Sequence, residues 1–372
     1  MVEEKSINQV DSIVEGENVS VCTEQDTFSL EDIPLPEKNV KDSKINNKEE
    51  GLIDDNEELS LKSILEKYSV VADGDCIEKK SPFAYYKDMH YTCTKNVFNK
   101  SAIISMIHQA EISQTDSLIL EALGQYTYLN SYMIRTHIYY TTGKKVRLTR
   151  ERCRLILKQM LTRGLLLQYE LLHNEDGTEQ GSAFIYSLSM GGELYCNYLG
   201  VNIALRRSQR KRDFTIPALL STLAINHFHI MMEARYSRQN IVKRSDIYKK
   251  AYVSTSVAGD YAIFLPDHSL LTVYLTGVRN TEDMADGFIR TLGRLASYVN
   301  EIRCGTYFLL VICETEHQVM ECERLRIFNG MSRIPVLYTT DTTIATNKDV
   351  FERLIRVDDI EKGEKTYIKL NL

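Results

Sequence analysis

Two groups of residues have types and spacing that could do chemistry, and each calls for a different one. The first lies in GDYAIFLPDHSLLTVYLTG, residues 259–277, where Asp260 opens one short apolar run and a Pro-Asp-His-Ser turn leads to a second. A metal-dependent nuclease places an aspartate on one strand and an acid-x-Lys triplet on the next. The carboxylates hold Mg²⁺ and the lysine orients the attacking water. Here Asp260 matches the strand aspartate, and Glu233 is a candidate auxiliary acid on the preceding helix. The triplet position reads Tyr274-Leu275-Thr276, which holds neither acid nor lysine. Nothing specific recruits Lys243, Lys249 or Lys250 in its place, and Asp267 fits a turn residue. The expectation is therefore a chain without catalytic residues, metal or cofactor, with a metal-dependent nuclease kept as an alternative.

The second group is basic. Lys144, Lys145 and Arg147 precede LTRERCRLILKQMLTRG, in which Thr149 is the N-cap candidate and Arg150, Arg152 and Arg154 lie in the first turns, with Lys158 and Arg163 beyond. Arginines at the start of a recognition helix can pair with guanine or neutralise phosphates in the major groove. A solvated helix face is the plain alternative. RRSQRKRD (206–213) adds Arg206, Arg207, Arg210, Lys211 and Arg212, as an extension of the same site or as an interdomain linker. Five tyrosines, Tyr126, Tyr128, Tyr132, Tyr139 and Tyr140, cluster nearby, but only His137 accompanies them. They read as core or partner-facing rings rather than nucleophiles. His227 and His229, two residues apart on a helix, diverge and read as structural.

The elements that must position these groups follow from periodicity. TDSLILEALGQY and YLNSYMIRTHIYY read as helices, the second capped by Asn130 or Ser131 and ended by Gly143. The basic helix carries Cys153, Leu155, Ile156, Met160 and Leu161 as its apolar stripe and ends at Gly164. LLLQYELL (165–172) and AFIYSLS (183–189) read as strands around the loop HNEDGTEQGS, whose tip is acidic (Glu175, Asp176, Glu179). Three helices and a hairpin make a winged helix-turn-helix unit, closed by a helix in MGGELYCNYLGV. Its acidic wing leaves DNA contact to the helix alone and equally suits a protein-interaction module. From 214 the order becomes helix (216–236), the hairpin above, helix, strand (306–314), helix, strand (334–340), implying an α/β domain with a mixed sheet.

Upstream, 60–68 fits a short amphipathic helix, 69–85 looks irregular, and 95–112 fits a helix. The organisation expected is a disordered acidic tail (1–58), a helical lead-in (59–112), a winged helix (113–205), a basic linker (206–213) and the α/β domain (214–372). The fold class is thus mixed, α+β and α/β.

Charge supports this division. Residues 1–60 hold 17 Asp+Glu against 5 Lys, while 113–212 hold 14 Lys+Arg against 8 Asp+Glu, although the whole chain is at −6. An acidic leader ahead of a basic middle suggests a polyanion-binding domain. Eight cysteines without a CxxC pair suggest reduced, buried thiols in a cytoplasmic protein, and structural zinc is not expected. No apolar run is long enough for a transmembrane helix, and no membrane partner is expected.

The order ILEALGQYTYLNSYMI, RCRLILKQMLTRGLL and FIYSLSMGG, followed by GDYAIFL, LLTVYLTG and NTEDMADGFIRTLGRLASYV, resembles the replication-relaxation family over about 113–345. That family belongs to plasmids and integrative conjugative elements of Gram-positive hosts. The resemblance implies double-stranded DNA binding in mobilisation or replication, with a degenerate restriction-endonuclease-like PD-(D/E)xK domain acting as a protein- or DNA-interaction module. A relaxase, replication protein or coupling protein is the implied partner, and a homodimer is compatible. Tyr274 departs from the acidic strand position. A winged-helix transcriptional regulator is the alternative.

Overall fold

The computed structural model describes residues 68–71, 81–94, 98–109, 112–175, 178–201, 203, 215–235, 242–243, 261–265, 271–279, 284–302, 307–346 and 351–370. The acidic tail, the basic linker 206–213 and Asp260 lie outside them. The described residues form a mixed α/β structure of nine helices and two sheets. None of these helices is long and apolar enough to cross a membrane.

The smaller sheet has four antiparallel strands in the order β2-β4-β5-β3: β2 (His90–Cys93), β3 (Leu129–Asn130), β4 (Leu166–Glu175) and β5 (Thr178–Leu188). Helices α1 (Lys100–His108), α2 (Gln114–Tyr126), α3 (Ser131–Thr141), α4 (Arg150–Thr162) and α5 (Met190–Leu199) accompany it. The helix starts have local causes. Ser113 and Asp116 form a reciprocal capping box at α2, while Asn130 and Thr149 accept from the third backbone N–H of α3 and α4. Gly164, at φ 74°, ends α4 in a conformation that favours glycine. Its carbonyl then accepts from Ser189 Oγ (2.5 Å), and that hydroxyl accepts from Gly192 N (3.1 Å). A Cβ on Gly192 would lie 2.1 Å from Leu165 O, so the MGG of the sequence lets α5 seat directly on the end of α4.

The larger sheet is mixed, in the order β1-β12-β11-β10-β9-β8-β7-β6. Its strands are β1 (Tyr68–Val71), β6 (Val242–Lys243), β7 (Tyr261–Leu265), β8 (Leu271–Gly277), β9 (Tyr307–Cys313), β10 (Val336–Thr340), β11 (Leu354–Asp359) and β12 (Glu364–Leu370). Only β8-β9 and β9-β10 are parallel, and helices α7 (Met284–Ile302) and α8 (Glu316–Phe328) make the crossovers between them. In β9, residues 308–313 are almost wholly buried, as a parallel central strand requires. Leu309, Val311 and Cys313 join the α7–α8 core, and α6 (Ile216–Arg235) packs across β8 and β9. A short α9 (Asp341–Thr346) follows β10.

Three expectations change. The polar loop HNEDGTEQGS is mostly strand, because β4 and β5 run on to Glu175 and from Thr178. The lead-in is not simply helical: Tyr68–Val71 and His90–Cys93 are strands, completed by partners far along the chain in β12 and β4. The α/β part holds more strands than expected, adding β6, β11 and β12.

Candidate nucleic-acid interface

Helix α4 presents a core face and an outer face. Cys153, Leu157 and Met160 are buried, and Ile156 and Leu161 are half-buried. Leu155, expected in the apolar stripe, is instead exposed. At 100° per residue it lies opposite Cys153, Leu157 and Met160, an angle that spacing alone could have shown.

Two features aim the helix. Residues Gly143 (φ 61°) and Lys144 (φ 67°) are both left-handed and reverse the chain between α3 and α4. For lysine this conformation costs about 1 kcal/mol, so the turn is held by its surroundings, including Lys144 N donating to Tyr139 O at 2.7 Å. At the other end, Arg163 approaches the Asp116 carboxylate of the α2 capping box (3.9 Å), joining the end of α4 to the start of α2.

Lys144, Lys145, Arg147, Arg150, Arg152, Arg154 and Lys158 are all exposed. Their side chains make no ion pair or hydrogen bond with another described residue. Thr149 is exposed too, but its hydroxyl is engaged in capping, accepting from Arg152 N at 3.2 Å. Arg206, Arg207, Arg210, Lys211 and Arg212 lie outside the described residues.

The hairpin beside α4 is braced along its outer edge. β2 pairs with β4 from His90↔Leu172 to Cys93↔Tyr169, Tyr86 stacks on His173 (4.6 Å), and Asp88 accepts from Asn174 N at 2.5 Å.

Beneath α2 and α3, α6 builds a buried polar seam. Thr127, at φ 67° and ψ −54°, sits in a strained three-residue turn in which Tyr128 N donates to Tyr126 O at 2.7 Å. Asn226 Nδ2 donates to both Tyr126 O and Tyr128 O, each at 2.9 Å. Tyr126 Oη lies 2.6 Å from His229 Nδ1. Glu233 receives His137 Nδ1 at 2.8 Å and Gln125 Nε2 at 3.3 Å. The carboxylate considered as an auxiliary metal ligand is thus committed to two helices. Tyr126 and Tyr128 are core residues, whereas Tyr132 is about half exposed. His227 is buried with both ring nitrogens lacking a hydrogen-bond partner, against Phe83 and Tyr132, and burial pushes its pKa down to about 4. His227 and His229 do diverge, as expected from their spacing.

In the hairpin of the opening stretch, β7 and β8 pair antiparallel with Ala262 opposite Tyr274, and β8 runs parallel to β9. The first charge after β8 is Arg279, which sequence reading did not single out. Its guanidinium donates to both Asp341 oxygens (2.7 and 2.9 Å) and to Ile312 O (3.1 Å), with both side chains fully buried. Burial pushes the Asp341 carboxyl up and Arg279 pulls it back. Ser81 also donates to Asp341, and Glu314 accepts from Tyr85 N (3.2 Å), so the 81–86 segment closes over the carboxyl ends of the parallel strands. Among the described residues, no three His, Cys, Asp or Glu come together to hold a metal.

Burial disfavours the thiolate at three core cysteines. Burial raises Cys153 to about 11 and Cys196 to about 12, and it raises Cys313, which is hydrogen-bonded with Cys322, as well. Cys93 is exposed.

No family model matches the chain, and neither a curated protein nor a solved structure matches it.

Proposed function

We propose that this chain is a cytoplasmic DNA-binding accessory protein of plasmid or conjugative-element mobilisation or replication. In this reading α2-β3-α3-α4-β4-β5 is a winged helix that lays α4 against double-stranded DNA. The observation that carries it is the set of seven exposed cations, on α4 and the turn before it, without a partner among the described residues. The topology supports it: helix, short strand, two helices and a hairpin, with the short strand paired to the second arm, is an arrangement that presents its third helix outward. The covered outer edge of β4 fits contact through the helix rather than the wing.

The eight-stranded part serves as an interaction module with a nuclease-like outline. Helix α6, antiparallel β6-β7-β8, α7 and parallel β9 keep the order expected of a restriction-endonuclease-like domain, with one strand more. The engagement of Glu233 by His137 and Gln125 favours binding over hydrolysis. The mobilisation setting and a relaxase, replication or coupling partner rest on the sequence resemblance. A second reading, a winged-helix transcriptional regulator acting as a homodimer, is favoured by Tyr198 and Leu199, exposed at the end of α5. Changed transcripts of neighbouring genes in a deletion strain would mark that reading.

The test is a gel shift on duplex DNA flanking the gene. Arg150→Ala with Arg154→Ala is expected to weaken binding about tenfold or more. Absent binding, or binding indifferent to both substitutions, overturns the proposal, and Mg²⁺-dependent cleavage would restore the nuclease alternative.

A further inference from the structure

Leu155 has no packing role that explains it. It is 59% exposed, midway along α4, facing away from the buried Cys153, Leu157 and Met160. Scattered surface leucines are ordinary, so exposure alone decides nothing. Position does. The residues one turn to either side are Glu151, Arg152, Lys158 and Gln159, all exposed, and Arg154 is its exposed neighbour. An apolar protein pocket that buried Leu155 would also have to desolvate these charges, which is costly without matched partners. Duplex DNA accommodates both. Its backbone supplies phosphates to the cations at the shoulders of the helix. Its major-groove floor offers hydrogen-bonding groups and one apolar group, the thymine 5-methyl. The residue central on the outer face of a recognition helix reaches furthest toward that floor.

We propose that Leu155 is a specificity residue that packs on the 5-methyl group of a thymine. This rests on the reading of α4 as the DNA-contacting helix. The phosphate contacts of Arg150, Arg154 and Lys158 set affinity, while Leu155 sets preference at one base pair.

The experiment uses the full chain and duplexes enriched from a random-sequence pool. Each thymine of the enriched site is replaced in turn by deoxyuridine, which removes only the methyl group. At one position the wild-type chain is expected to lose about fourfold in affinity, the worth of one buried methyl. Leu155→Ala should bind the thymine duplex about as weakly as wild type binds the uracil duplex, and should not distinguish the two. Because the wild-type arm needs no variant, the result does not depend on how Leu155→Ala folds. The inference is overturned if no thymine is sensitive to its methyl, or if the loss persists in Leu155→Ala. It is equally overturned if Leu155→Ala abolishes self-association in sedimentation while thymine discrimination stays intact. Failure of the underlying reading looks different: no duplex is retained from the pool, or affinity ignores salt and the Arg150→Ala, Arg154→Ala pair.

Discussion

On the inner face of α6, Asn226, His229 and Glu233 each meet a group from α2, α3 or the turn between them: the carbonyls of Tyr126 and Tyr128, the Tyr126 hydroxyl, and the side chains of His137 and Gln125. On the exposed surface of α4 and the turn ahead of it, seven cations meet no described residue. Both regions are polar, yet they do different work. The seam lies where an unmatched group is costly, and most of its polar groups pair across helices, tying the helical unit to the α/β part. The outer face lies in water, where unmatched charge costs little and remains available to a polyanion. Substitutions in the seam should therefore act on stability, and substitutions on the outer face on binding.

The largest effect is expected from Glu233→Ala, which takes the carboxylate from buried His137 and a hydrogen bond from half-buried Gln125. Loss of one partner of a buried pair costs about 3–5 kcal/mol, read as a lowered midpoint in denaturant titration. A fall of under about 1 kcal/mol would place the seam among ordinary surface contacts. Next comes acid sensitivity from His227. Above its ordinary pKa of 6.5 the ring is neutral whether folded or unfolded, so it adds no pH dependence. Below that, the unfolded chain takes up a proton that the folded chain refuses until about pH 4, so stability falls as pH drops through this window. The loss approaches about 3 kcal/mol. Stability measured from pH 7 to pH 4 should fall less in His227→Phe than in wild type, and identical curves would refute the assignment.

Asn226→Ala removes the amide that donates to both Tyr126 O and Tyr128 O across a strained turn and should cost about 1–3 kcal/mol. Melting of this variant tests whether α6 holds the turn at Thr127. The smallest stability effect belongs to the outer face. Arg150→Ala and Arg154→Ala should each stay within about 0.5 kcal/mol of wild type in the same titration. A marked loss of stability there would erase the contrast between the two regions.

The helices and central strands were legible in the sequence because their causes are local. Asn130, Thr149, Gly143 and Gly164 mark the ends of α3 and α4, and the apolar run 307–313 announces a buried strand. β1 and β2 were not legible, since each is a four-residue edge strand completed by a partner distant in sequence. The seam was hidden for a related reason: His137, His229 and Glu233 acquire meaning only once α6 crosses α3. Arg279 and Asp341 sit at the ends of β8 and β10, separated in sequence but joined across β9. Of the candidate interface, the exposed cations of α4 were anticipated from their position near its start. Leu155 was misplaced because apolar residue type was followed where helical angle should have decided.

The most direct measurement is the affinity of the full chain for duplex DNA as a function of salt, by fluorescence anisotropy. A linear fall of log affinity with log salt concentration is expected, with a slope shallower by about 2 in the Arg150→Ala, Arg154→Ala variant, close to one unit per phosphate contact removed. Binding that ignores salt, or a slope unchanged by the double substitution, would contradict it.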